Sequence, residues 1–166
     1  YSGGSTNIVC EYIKEVIGDE EQYLKFPRER LFNKIGMRSA VFEVDASGIF
    51  VGSSYLYASV RDYARYGLLY LHNGNWLGEQ LLPEDWVTYT TTPAKGSEGD
   101  YGAFFWLNKG AKYPGVPEDL FSAEGHDGQY IFIIPSLHLV VARNGYSKKG
   151  TYDFQAFIKS ITDAVE

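Results

Sequence analysis

The sequence of 166 residues has little of several features that mark particular protein classes. It contains one cysteine, Cys10, which excludes an internal disulfide; Cys10 lies in an apolar helical pattern typical of buried filler rather than of a nucleophile. No apolar run approaches the ~18 residues that a membrane helix needs. Basic residues form no stripe, and the net charge of -6 argues against a nucleic-acid partner. We therefore expect a soluble globular protein with no transmembrane segment.

The first residue is Tyr1 rather than Met, so we expect the chain to be a processed product or a piece of a longer protein. With 45% hydrophobic residues, a chain of this length can bury one core. No repeat, low-complexity tract or linker divides it. The sequence thus predicts one domain, or the C-terminal part of one, over residues 1–166.

One stretch places polar residues at the mouth of a buried hairpin. Residues 130–134 and 137–142 are two apolar runs separated by a two-residue break, which predicts an antiparallel strand pair. Just before them, Gly125 and Gly128 flank His126 and Asp127, and glycines let a backbone lie close to a ligand. The Asp-Gly pair on its own is also a common turn dipeptide.

Apolar residues at helical spacing predict several helices around this hairpin. Ser5 or Thr6, Ser59 and Thr151 are the expected caps of the three longest helices. Shorter helices are predicted over residues 20–26 and 83–89, with another from Pro27 to Gly36; short strands are predicted over residues 40–44, 49–51 and 101–107. Arg61, Asp62 and Arg65 are expected to be solvated or paired on the surface of the Ser59 helix. Helices on either side of antiparallel strands predict an α+β layered fold.

Five motifs in order carry a resemblance to a known family. The motifs are Tyr1-Ser2-Gly3-Gly4-Ser5-Thr6-Asn7, Leu31-Phe32 with Gly36-Met37, Arg61-Asp62-Tyr63-Ala64-Arg65-Tyr66-Gly67-Leu68-Leu69, Gly74-Asn75-Trp76 and Gly125-His126-Asp127-Gly128-Gln129. With these motifs the chain resembles serine β-lactamase-like and penicillin-binding-like hydrolases, in the branch of class C β-lactamases, related esterases and 6-aminohexanoate-dimer hydrolases. The resemblance implies a β-lactamase/transpeptidase-like fold, an antiparallel sheet packed with helices, present here as the C-terminal part without the nucleophile helix.

Enzymes of this family carry Ser-x-x-Lys, then a loop with Tyr or Ser, then Lys-Thr-Gly or a His-x-Gly variant on a strand. Tyr1 resembles the loop tyrosine, and His126-Asp127-Gly128 resembles the strand motif. No serine in the chain has a lysine three positions later, and Gly-x-Ser-x-Gly is absent. The resemblance therefore implies that the nucleophilic Ser and its Lys lie upstream of Tyr1, outside this chain.

The resemblance also implies catalytic roles. Tyr1 would act as a base if the upstream Lys, helped by His126, lowers its pKa from about 10. The backbone N–H of Gln129 would be one donor to the oxyanion of the tetrahedral intermediate. Without the resemblance, Tyr1 is interpreted more simply as a frayed terminus.

Three residues are predicted to bind substrate. Asp127 belongs to the strand motif, and Gly128 would let the substrate lie against the strand edge. Arg143, at the end of the second hairpin strand, either adds positive charge to the pocket or is a solvated strand-end arginine.

The predicted substrate is a small ester, amide or β-lactam, with no cofactor. His126 in place of lysine removes a permanent cation and weakens the case for an anionic β-lactam; Gly3 stands where class C enzymes have Asn, which puts a hydrogen bond to a substrate amide in doubt. A metal site is not predicted, because strand alternation would put Glu124 and His126 on one face and Asp127 on the other.

Two further function hypotheses remain open beside the hydrolase. One is a non-catalytic penicillin-binding-like module that binds a peptide or a partner protein. The other is a carbohydrate-binding surface made from the 16% aromatic residues, although most of these occur at core-like spacing.

The family resemblance favours a periplasmic or secreted location over a cytoplasmic one. The same family picture predicts that the isolated chain exposes an apolar surface. We expect it to dimerise, exchange strands or be poorly soluble unless an upstream chain completes the fold.

Overall fold

The computed structural model describes residues 2–148 and 150–165. The chain divides into two compact units, Tyr1–Arg65 and Tyr66–Glu166, here called the N-terminal and C-terminal units. The division falls inside helix α4, Val60–Leu71. Among the described helices, none has the length and apolar character needed to cross a bilayer.

Helices form the first half of the N-terminal unit. Helix α1, Gly3–Ile17, ends at Gly18 in the left-handed conformation, as the sequence predicts, but its N-cap is Ser2 rather than Ser5 or Thr6. Helix α2, Glu20–Pro27, is capped by the Asp19 side chain, which accepts a hydrogen bond from the Gln22 N–H. The helical segment ends at the left-handed Gly36, also as predicted.

The predicted break before Pro27 is wrong. The helix passes through Pro27 into a π-helical turn, Arg28–Phe32, and on into α3, Asn33–Ile35. Pro27 has a φ of -61°, which suits a helix, and in the wider turn after it the Asn33 N–H donates to the Arg28 carbonyl, five residues earlier.

Two short strands complete the N-terminal unit. β1, Val41–Phe42, pairs with β2, Leu56–Tyr57, in antiparallel register. Of the predicted strand over residues 49–51, Phe50 makes a single bridge to Val44. Phe50 packs on Phe42 with ring centres 4.5 Å apart, and its N–H donates to the Tyr23 hydroxyl.

The C-terminal unit is built on a four-stranded antiparallel sheet in the order β5-β6-β7-β8. Ahead of it lie a two-stranded ribbon and a short helix, β3, β4 and α5. The bounds are β3 Asn75–Trp76, β4 Glu79–Gln80, α5 Trp86–Thr90, β5 Trp106–Leu107, β6 Phe121–Gly125, β7 Gln129–Ile134 and β8 Leu139–Arg143, followed by α6, Phe154–Val165.

The predicted hairpin is confirmed, but its predicted two-residue break is wrong. A 3-10 turn, Pro135–Leu137, and the left-handed His138 separate β7 from β8. Asp119 holds this turn, because its carboxylate accepts hydrogen bonds from both the N–H and the hydroxyl of Ser136.

Helical residues cover both faces of the sheet within the C-terminal unit, so the predicted layered α+β fold is confirmed. On one face, Phe132 and Ile134 form a buried cluster with Ile158 of α6. On the other face, α4 approaches through Gly67, where a methyl group would lie 2.6 Å from Val140 Cγ1. Helix α6 begins later than the predicted Thr151 cap, and Asp153 accepts a hydrogen bond from the Ala156 N–H.

Candidate active site

The predicted catalytic motif lies in a turn and not on a strand. β6 ends at Gly125, and His126–Gly128 forms a 3-10 turn that leads into β7. Asp127 adopts the left-handed conformation (φ 54°, ψ 31°), which aspartate tolerates better than most residues. The predicted strand location of His126-Asp127-Gly128 is therefore wrong, because a three-residue reversal is needed to join β6 to β7.

His126 presents its imidazole to solvent. Its side chain is 91% exposed, and its Nε2 lies 3.3 Å from Asp127 Oδ2. The Asp127 side chain is 27% exposed, so the pair forms a polar, accessible tip on the turn between β6 and β7.

Gly128, in contrast, is buried. Its carbonyl accepts a hydrogen bond from Arg143 Nη1. A methyl group at this position would lie 2.7 Å from Phe154 Cζ and 2.9 Å from Arg143 Nη1. Internal packing and a φ of 88° therefore account for this glycine without a substrate.

The backbone N–H of Gln129 is directed toward β6, the strand that pairs with β7 on this side. The Asn108 N–H donates to the Leu120 carbonyl, so the backbone polar groups of Leu120 point toward β5. Because this direction alternates along an antiparallel strand, the even-numbered residues of β6 point their N–H and C=O groups at β5. The odd-numbered residues point theirs at β7. Gly125 and Gln129 are direct partners, so the Gln129 N–H points at β6. The N–H of Gln129, the predicted oxyanion donor, is therefore directed along the ladder toward the neighbouring strand.

The same alternation gives the direction of a second backbone N–H at the turn, which sequence patterns do not predict. The Gly125 carbonyl points at β7, and in a planar trans peptide the next N–H points the opposite way. The His126 N–H is therefore directed at the other edge of β6, where β5 pairs with Phe121 and Ser122 but not with the exposed Gly125. The position of the strand end, which a sequence does not fix to one residue, is the missing signal.

Arg143 is partly buried, and its guanidinium bonds to groups of the chain itself. Besides its bond to Gly128, its Nη2 lies 2.8 Å from Ser147 Oγ. The guanidinium carbon lies 4.6 Å from the Tyr152 ring centre and 5.3 Å from that of Phe154. Acceptors and aromatic rings of the C-terminal unit therefore surround the guanidinium of Arg143.

Glu124 belongs to a separate polar cluster. Its Oε1 accepts hydrogen bonds from Lys112 Nζ at 2.6 Å and from the hydroxyls of Tyr113 and Ser122, each at 3.0 Å. Burial, followed by the charge of Glu124, raises the pKa of the Tyr113 phenol. Within residues 2–148 and 150–165, no group of histidine, cysteine and acidic residues has the arrangement of a metal site.

Tyr1, the predicted base, lies outside the described residues. The described segment that follows it packs closely against the loop before β2: a methyl group on Gly3 would lie 3.2 Å from Ser53 Cβ. The spacing of some fifty residues between Gly3 and Ser53 explains why sequence patterns alone do not bring them together.

Comparison with known proteins places this α+β chain in a family. Its sequence matches the Beta-lactamase family model over residues 1–152, so the chain belongs to that family. No curated protein matches.

Solved structures share the fold. A candidate 6-aminohexanoate-dimer hydrolase from Bacillus anthracis is 26% identical, with a TM-score of 0.74 over 99% of this chain and 42% of its own. A β-lactamase from Mycobacterium bovis is 15% identical, with a TM-score of 0.75 over 99% of this chain and 62% of its own. A candidate β-lactamase from Bacteroides dorei is 16% identical, with a TM-score of 0.53 over 83% of this chain and 48% of its own. The chain thus has the β-lactamase/transpeptidase-like fold and spans between two-fifths and two-thirds of these relatives.

Proposed function

We propose that the protein containing this chain is a serine hydrolase that cleaves a small ester, amide or β-lactam through an acyl-serine intermediate. The observation that carries the proposal is the uncovered end of β6, where the His126 N–H points outward beside an exposed imidazole, in a chain that matches the Beta-lactamase family. The nucleophilic serine and its lysine are assigned to sequence before Tyr1.

In this proposal, the sequence before Tyr1 supplies the nucleophile, and the 166-residue chain supplies the base and one oxyanion donor. The serine oxygen attacks the substrate carbonyl carbon while its proton passes to a base, for which we keep Tyr1. The developing oxyanion accepts hydrogen bonds from the serine N–H and, in this proposal, from the His126 N–H in place of that of Gln129. The leaving group then departs with a proton, and water attacks the acyl-serine to regenerate the enzyme.

Arg143 and Lys112 are both paired within the chain, which favours a neutral substrate over an anionic one. Arg143 directs both terminal nitrogens at groups of the chain, and Lys112 is paired with Glu124. The chain itself therefore engages these two cations, and the turn offers the imidazole of His126 to a substrate. An ester or an amide without a carboxylate fits this arrangement better than an anionic β-lactam.

Covalent labelling tests the proposal. We expect the natural full-length protein to gain the mass of one fluorophosphonate adduct and the isolated 166-residue chain to gain none. Loss of the adduct after denaturation of the full-length protein before labelling serves as the control for a folded site. A full-length protein without an adduct would contradict the serine hydrolase.

The alternative is a non-catalytic module of the same fold that binds a peptide or a protein partner. The exposed apolar residues of the N-terminal unit, such as Tyr55 and Tyr57 with parallel rings 6.5 Å apart, are the observation that favours it. A protein that takes up no fluorophosphonate but binds a peptide library in a saturable way would support this alternative.

A further inference from the structure

The side chain of Arg143 joins the end of β8 to the His126–Gly128 turn. One terminal nitrogen donates to the Gly128 carbonyl and the other to Ser147 Oγ, while the rings of Tyr152 and Phe154 lie within reach of the guanidinium. The guanidinium is thus held by two acceptors and two aromatic rings, all belonging to the C-terminal unit.

The same segment, residues 143–147, makes further bonds to the turn. The Ser147 N–H donates to the Asp127 carbonyl at 2.8 Å. The side-chain amide of Gln129 bonds both backbone groups of Gly145: its oxygen accepts from the Gly145 N–H at 2.9 Å, and its nitrogen donates to the Gly145 carbonyl. The same nitrogen donates to the His126 carbonyl at 3.2 Å. The carbonyls of three consecutive residues, 126 to 128, therefore all accept hydrogen bonds, and residues 143–147 supply two of the three donors.

This bonding fixes the direction of the peptide groups in the turn. Asp127 and Gly128 both have positive φ, a conformation that costs free energy for a residue with a Cβ such as Asp127. Bonds from outside the turn compensate for that cost. Because a planar peptide couples each carbonyl to the N–H that follows, the anchored carbonyls of residues 126 to 128 fix the N–H directions of residues 127 to 129.

We infer that Arg143 is a positioning residue for the proposed oxyanion site and does not bind a substrate anion. This inference rests on the proposed function. Arg143 acts through Gly128 and Ser147. Loss of its bonds lets the turn that begins at His126 relax, and this displaces His126 and its N–H from the end of β6.

Kinetics with two substrates of the full-length protein separate positioning from anion binding. We expect Arg143→Gln to lower kcat for a neutral ester, p-nitrophenyl butyrate, and for an anionic β-lactam, nitrocefin, by a similar factor of about tenfold, with little change in KM. A rise in KM confined to nitrocefin would overturn the inference, because it would mean that Arg143 binds the carboxylate. Arg61→Gln, at an exposed arginine, is the matched control.

Hydrogen exchange gives a readout that needs no activity. In Arg143→Gln, the amides of residues 126–129 are expected to exchange faster than in the wild type, while those of Arg61→Gln are unchanged. Unchanged exchange in the turn would overturn the inference even if the enzyme is active; an inactive wild type with faster exchange in the variant would contradict only the proposed function. If Arg143→Gln does not fold, Ser147→Ala removes one acceptor, and we expect a smaller change of the same kind.

Discussion

Asp62 shows how one side chain connects two segments of the N-terminal unit. The residue is 3% exposed, and its carboxylate accepts hydrogen bonds from the Ser39 N–H at 2.8 Å, from the Ser39 hydroxyl at 2.6 Å and from Arg65 Nη1 at 2.6 Å. Burial alone would raise the pKa of Asp62, but the bonds from Ser39 and Arg65 outweigh burial, and the net pKa lies below its ordinary value. The expected local pairing with Arg65 is confirmed, while the expected surface location is wrong.

Replacing Asp62 by Asn is expected to lower the free energy of unfolding of the full-length protein by about 2 kcal/mol at pH 7. A carboxylate with a lowered folded pKa stabilises the fold above its unfolded pKa of about 3.9, and this contribution is lost as the pH falls through the folded pKa. The difference between wild type and variant should therefore shrink below about pH 4 in urea unfolding curves.

The control for this change is Asp163→Asn, which removes an exposed pair with Lys159 and should cost under about 0.5 kcal/mol. An Asp62→Asn variant as stable as wild type at pH 7 would mean that the Ser39 bonds contribute nothing net.

At the residue scale, sequence predicts what depends on a residue's own conformation. Gly18 and Gly36 end helices as expected, because only the backbone freedom of glycine is needed there. The partners of Asp62 and Arg143 were not predictable, since Ser39 lies 23 residues away and the Gly128 carbonyl 15 residues away.

At the scale of secondary-structure elements, Gly67 determines how closely helix α4 packs on the sheet. A methyl group there would lie 2.6 Å from Val140 Cγ1 and 3.0 Å from Ile131 Cγ2. Gly67→Ala gains helix propensity of up to about 1 kcal/mol, but the overpacking costs about 1 to 3 kcal/mol. We expect a net loss of about 1 kcal/mol of stability, measured by urea unfolding of the full-length protein.

Gly4→Ala in α1 is the matched control, because the nearest atom to a methyl group there, Ser2 Oγ, is 3.5 Å away. It should leave stability unchanged or raise it by up to about 1 kcal/mol. Equal effects of the two substitutions would contradict the packing of α4 on Val140.

Elements were predicted well where the pattern is long and less well where a local signal competes with tertiary contacts. The buried runs of β7 and β8 identified the hairpin, but the Asp119 bonds that hold its connection come from a distant loop. Pro27 was interpreted as a helix end because its missing N–H usually ends one; the π-helical turn that follows instead shifts the bonding by one residue.

Helix α1 presents an uncovered apolar stripe that bears on the behaviour of the whole molecule. Ile8, Tyr12 and Val16 recur every four residues and are 67%, 65% and 68% exposed. We expect the isolated 166-residue chain to self-associate through this stripe, because water disfavours exposed apolar surface of this extent. The double variant Ile8→Gln with Val16→Gln should shift sedimentation velocity profiles toward the monomer.

The control is Glu11→Gln with Glu15→Gln, two exposed residues of the same helix outside the stripe. It should leave the association unchanged. A wild-type chain that sediments as a monomer and unfolds cooperatively would contradict this prediction.

The family and the layered fold were predictable from sequence because they depend on five motifs spread along the chain. The edge of β6 beyond β5 was not predictable from sequence. It depends on the residue at which β6 ends and on which of its residues point their backbone groups at β7. The proposed reaction joins these two levels: the family supplies the class of chemistry, and the strand end supplies the donor.

Localisation of a covalent adduct is the most direct test of the proposed acyl-serine mechanism. After the natural full-length protein reacts with a fluorophosphonate, peptide mapping by mass spectrometry should find one modified serine, in a Ser-x-x-Lys sequence preceding Tyr1. An adduct on any residue of the 166, or no adduct on the folded full-length protein, would contradict the proposed hydrolase.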